Sequence, residues 1–95
     1  MQNNKDSDKI YIVDKEYQIL EADEPEIIGT YFKEQISKNH QSQVMNELRH
    51  SKERFLTKMH DYKPVYLSAF PCDNKIVILQ KFFVHPISLK GYITS

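Results

Sequence analysis

His40-Gln41-Ser42-Gln43-Val44-Met45-Asn46-Glu47-Leu48-Arg49-His50-Ser51-Lys52-Glu53-Arg54-Phe55-Leu56-Thr57-Lys58-Met59-His60-Asp61 is the longest segment of the chain with a helical repeat. Met45, Leu48, Phe55 and Met59 fall three, seven and four residues apart on one face, and Val44 and Leu56 widen that stripe. Glu47, Arg49, Glu53, Arg54 and Lys58 take the opposite face, at spacings that give helical-neighbour ion pairs of a few tenths of a kcal/mol each. The pattern predicts one amphipathic helix from His40 to Asp61, with one side made for a core and the other for water. Lys63-Pro64 ends it, because proline disfavours helical geometry in the residue before it.

Strand signals lie on either side. Ile10-Tyr11-Ile12-Val13 and Tyr17-Gln18-Ile19-Leu20 flank the polar turn Asp14-Lys15-Glu16, which reads as a hairpin. Pro64 to Pro71 alternates Val65, Leu67 and Ala69 against Tyr66, Ser68 and Phe70; Cys72-Asp73-Asn74-Lys75 then supplies a turn before the apolar run that starts at Ile76. That is a second, longer hairpin, and Ile93 marks a further edge strand. Asp23-Glu24-Pro25-Glu26 looks like a helix start, and Ile27, Ile28, Tyr31, Phe32 and Ile36 recur at helical spacing as a short helix or two around Gly29. Neither hairpin is stable alone, so both are expected in one antiparallel sheet. The fold class is therefore α+β: four to five antiparallel strands in the order ββ-α-α-ββ, with helices on one face. Residues 1–8 are polar and expected to be flexible, and 9–95 form a single domain.

The 95 residues include 13 basic and 13 acidic side chains and eleven Phe or Tyr. This balance removes the uniform positive field that bulk nucleic-acid or anionic-membrane binding uses. The longest apolar runs are four residues, against the ~20 that span a bilayer. Neither a nucleic-acid nor a membrane partner is expected, and the single cysteine suits a reducing, cytoplasmic setting. The charge is nevertheless polarised: residues 1–26 carry three Lys against eight acids, and residues 27–95 carry ten basic against five acidic residues. Salt bridges within the fold, or a self-complementary dimer contact, would use that separation. Two glycines are too few for a phosphate-binding loop.

The segment Val13-Asp14-Lys15-Glu16-Tyr17-Gln18-Ile19-Leu20-Glu21-Ala22-Asp23 resembles the opening of a PAS sensory domain. In that family an Asp opens the first hairpin turn, an Ile follows five residues later and usually an Asn four after that; Asp14 and Ile19 match, and Asp23 stands where Asn is typical. Ile27-Ile28-Gly29 is similar to the family's hydrophobic-hydrophobic-Gly step, the 40–61 helix resembles its long connecting helix, and the last hairpin its closing strands. The segment from Asp23 to Gly29 is too short for the full set of small helices that wall the family's ligand cavity, and the closing Asp-Ile-Thr is absent after Val84. The resemblance implies a five-stranded antiparallel sheet with helices on one face, working as a sensor or protein-docking module in signalling, often as a dimer and without catalysis.

The resemblance also frames the candidate sites. Cys72 lies in a hairpin turn, away from any motif like that of the family's flavin-reactive cysteine. On one helix, His50 and His60 would point about 80° apart, so they could not share a metal ion. No catalytic residue, metal site or cofactor is assigned. A small apolar ligand between helix and sheet would meet Ile12, Tyr31, Phe32, Leu48, Phe55 and Leu67. A homodimer or signalling partner would meet Tyr66, Phe70, Val77, Leu79 and Phe82 on the other sheet face, and a slip of one register would exchange the two sets. The alternative is a small adaptor or inhibitor that turns its acidic N-terminal segment against a partner's basic surface.

Overall fold

Asp14 organises the first turn. Its carboxylate Oδ1 accepts the Glu16 and Gln18 amides, both at 2.9 Å, and its carbonyl accepts the Tyr17 amide at 2.9 Å. This turn joins β1 (Lys9–Val13) to β2 (Ile19–Ala22) as the predicted hairpin, with a bulge at Ile12/Val13. At the other end of the chain, Asp73-Asn74 turns β4 (Lys63–Cys72) into β5 (Lys75–Phe82), again as expected. These elements come from a computed structural model that describes residues 8–61 and 63–82. The expected N-terminal segment is described only at Asp8, and the Ile93 edge strand lies outside the described residues.

The two ribbons lie side by side. β1 pairs antiparallel with β5, from Lys9 opposite Gln80 to Val13 opposite Ile76, and the sheet order is β2-β1-β5-β4-β3. The sequence reading is corrected at β3, Phe55–His60. The helix α1 runs only from Gln41 to His50, and Ser51 is already extended. Ser51-Lys52-Glu53-Arg54 offers no apolar side chain to the stripe, and beyond it the burial alternates: Thr57 and Met59 are buried, Leu56 and Lys58 are exposed. That two-residue period belongs to a half-buried strand. The ten-residue β4 has a free edge opposite β5, and β3 satisfies it, with Leu56 opposite Tyr66 and Lys58 opposite Pro64. Among the described residues the element order is thus ββ-α-βββ. The expected short helices after Asp23 are 3-10 turns at Pro25–Ile27 and Phe32–Gln35, and a third, Lys38–His40, leads into α1.

One face of the sheet carries the core. Tyr11, Val13, Ile19, Met59, Val65, Leu67 and Ile78 meet Phe32, Ile36, Val44, Met45 and Leu48 from the turns and α1. The predicted stripe therefore holds over α1, at Val44, Met45 and Leu48. No helix among the described residues is long and apolar enough to cross a membrane.

Candidate functional site: the outer face of the sheet

Strand alternation decides which side chains face away from the core. Val65 and Leu67 in β4 and Ile78 and Gln80 in β5 are buried, so Tyr66, Phe70, Val77, Leu79 and Lys81 project to the outer face. Backbone pairing arranges that face in rows: Glu21, Ile12, Val77 and Phe70; then Ile10, Leu79 and Ser68; then Lys81, Tyr66 and Leu56. Ile10, Leu56 and Phe70 each leave 49% of their surface in solvent. Four of the five residues expected on a docking surface share this face. Phe82 does not: it pairs with Val65 and packs against the core, because it has the parity of Ile78 and Gln80.

Ile10, Ile12 and Leu56 belong to the outer patch although the sequence reading placed none of them there. The two-residue spacing of Ile10 and Ile12 was available as a signal, but a run of four apolar residues hides its parity. The charged rim is uneven. Glu21 stands on β2 at one edge, whereas Lys58 faces outward on β3 at the other and the Arg54 guanidinium lies 4.5 Å from the Tyr66 ring centroid. Lys81, on the central strand, lies 3.6 Å from Asp8. A cation on an exposed aromatic face is held by about 0.5–1 kcal/mol.

The residues expected to line an internal cavity are divided. Phe32, Leu48 and Leu67 are buried together and Phe55 packs at the core margin. Ile12 is corrected to the outer face, opposite Val77, since its neighbours Tyr11 and Val13 take the inner positions. Tyr31 is corrected to the surface, 39% exposed at the start of a 3-10 turn. Between sheet and helix the Tyr11 and Phe32 rings meet edge to face at 4.9 Å, and the Tyr11 hydroxyl donates to Gln80 Oε1 at 2.8 Å. Burial, with Glu24 and Asp23 nearby, raises the phenol pKa well above its ordinary value, so Tyr11 stays a proton donor.

Polar side chains gather at the end of β3. The Ser37 hydroxyl and His60 Nδ1 are 2.9 Å apart, while His40 Nε2 lies 2.7 Å from Asp61 Oδ1. The His40 hydrogen bond, aided by Asn39, lowers the Asp61 carboxyl below its ordinary value. The serine and the carboxylate engage different imidazoles, so these contacts do not form the relay that activates a serine nucleophile. They tie β3 to the turn before α1. His60 is on a strand, which replaces the helical angle calculated between His50 and His60. The acids of the N-terminal third also have internal uses: Asp14 in its turn, Glu24 with Lys9 at 3.2 Å, Asp23 with the Ile10 amide at 3.3 Å and Asp8 with Lys81 at 3.6 Å. No family model, curated protein or solved structure significantly matches the chain.

Proposed function

We propose that this chain is a PAS-like interaction module of cytoplasmic signalling, which acts by non-covalent recognition rather than catalysis and docks a second copy of itself through the outer sheet face. The observation that carries the reading is the apolar outer face, with Ile10, Leu56 and Phe70 half exposed around Val77 and Leu79. The five-stranded antiparallel sheet and the Asp14 turn support the PAS resemblance. The uneven rim favours a second copy as the partner. A two-fold axis along the central strand β5 lays β2 of each copy over β3 of the other, which brings the Glu21 edge to the edge that bears Arg54 and Lys58. Sheets packed in this way keep their strands within about 30°.

Size sets the strength. Five strands at about 4.8 Å and eight residues at about 3.4 Å give a footprint on the order of 600 Å². This matches the patches that mark interaction sites and falls short of the about 800 Å² per partner of a standard interface. The dimer is therefore weak and concentration-dependent. Light scattering over a dilution series from about 1 mM to 1 μM should show dimers dissociating, and Phe70→Asp or Leu79→Asp should give monomers throughout. A parent monomeric at the top of the series, or dimers that survive both substitutions, would remove this reading.

A further inference from the structure

A cleft bordered at one end by Phe70 of the outer face opens where the C-terminal end of α1 meets β4, β5 and the first turn. It has a volume of about 450 Å³, within the range of about 300–1,000 Å³ that small organic ligands occupy. Leu48, Tyr17, Ala69 and Ile76 supply an apolar floor continuous with the core. Arg49 and Lys52 are its charged lining residues among those described, and among the described residues no carboxylate lines it and none pairs with either cation. The C-terminal end of α1 carries about half a negative charge, which two full cations outweigh.

Tyr17 marks the cleft independently. Its φ of 67° lies in the left-handed region, which disfavours a bulky side chain and which glycine adopts freely. The Asp14 turn holds it there, and its carbonyl accepts the Phe32 amide at 2.8 Å. The result is a phenol ring beside Arg49, whose guanidinium lies 5.7 Å from the ring centroid. Backbone strain of this kind collects at ligand clamps. We propose that the cleft binds a small amphipathic carboxylate, with its hydrocarbon on Leu48, Ala69 and Ile76 beside the Tyr17 ring and its carboxylate on Arg49 within the field of Lys52.

Octanoate and its uncharged counterpart 1-octanol test this on the full chain at neutral pH, by amide chemical shifts in parent and Arg49→Gln protein. Octanoate should shift the amides of Tyr17, Arg49, Ser51 and Ile76 saturably, and 1-octanol should bind about tenfold or more weakly, as loss of a charge-assisted hydrogen bond requires. Arg49→Gln should lower octanoate affinity to that of 1-octanol while its spectrum stays dispersed, and Arg49→Lys should keep part of the difference. Equal binding of the two compounds to the parent, undiminished octanoate affinity in Arg49→Gln, shifts confined to other surfaces, or no saturable shift at all would overturn the proposal. The comparison of octanoate with 1-octanol in the parent needs no variant. Because Phe70 borders both the cleft and the outer face, it is made at a protein concentration where light scattering shows the parent monomeric, so that its outcome is separate from that of the dimer reading.

Discussion

Tyr11→Phe removes one oxygen from the middle of the sheet and leaves Gln80 Oε1, its acceptor at 2.8 Å, without that partner. Both side chains are buried, Tyr11 5% and Gln80 6% exposed, so water does not replace the bond without opening the core. An orphaned buried acceptor costs about 1–3 kcal/mol, or about 4–8 °C in Tm per kcal/mol for a chain of this size. Gln80→Leu orphans the Tyr11 hydroxyl in turn and should cost a similar amount. The double variant replaces both partners by apolar groups of similar shape, and should be no less stable than either single one. Urea unfolding of the four proteins gives the coupling directly, expected at about 1 kcal/mol or more. Single effects that simply add, to within about 0.3–0.5 kcal/mol, would refute the view that this pair is a unit. Tyr11 also makes a pH-dependent contribution. Its folded pKa is raised, so its contribution is complete below the ordinary phenol pKa of about 10 and is lost as pH rises through the folded value. The stability gap between parent and Tyr11→Phe should therefore narrow on the alkaline side.

The β3 strand and its end give two further expectations. Met59→Ala should cost about 2–4 kcal/mol in urea unfolding and Leu56→Ala less than about 1 kcal/mol, because Met59 faces the core and Leu56 faces solvent; comparable losses would restore the continuous helix, on which both belong to one stripe. The Asp61 carboxyl, followed by carbon NMR, should titrate below the ordinary Asp value of about 3.9 and move back towards it in His40→Ala, with Asn39 and Lys58 still lowering it. Since its folded pKa is depressed, the contact stabilises above the ordinary value and is lost as pH falls through the folded one; an unaltered titration in His40→Ala would remove the assigned cause.

Why the sequence yields the ribbons but not β3 follows from periodicity. Phe55 and Met59 are four residues apart, a spacing that satisfies a two-residue strand period and a helical turn equally. Thr57, β-branched and between them, and the polar Ser51-Lys52-Glu53-Arg54 gap favour the strand, yet what settles the matter is tertiary: the open edge of β4 supplies hydrogen bonds that no local pattern records. The turns were legible because Asp14 and Asp73-Asn74 are local hydrogen-bonding devices. The outer face was legible in β4, where Val65 and Leu67 alternate with Tyr66 and Ser68. It was half hidden in β1, where both parities are apolar. In β5 polarity does not mark the outer side, because Gln80 turns inward and accepts the Tyr11 hydroxyl.

The central position of β5 turns these observations into one argument about the two faces of the sheet. Ile78 points into the core, and Val77 and Leu79 point away from it, so β5 is apolar on both sides while α1 lies against only one. Burying the exposed halves of Ile10, Leu56 and Phe70 would contribute about 1 kcal/mol each, hence about 3 per copy and 6 per pair. Association itself costs at least about 4 kcal/mol, so this burial alone gives only a weak dimer, and the rim charges tune it: an axis along β5 pairs Glu21 with the Arg54 side, whereas an axis across the strands would set Glu21 against its own copy. Glu21→Lys should therefore weaken self-association, and Arg54→Glu in the same chain should restore it. A Glu21→Lys chain that dimerises as well as the parent would place the two-fold axis elsewhere.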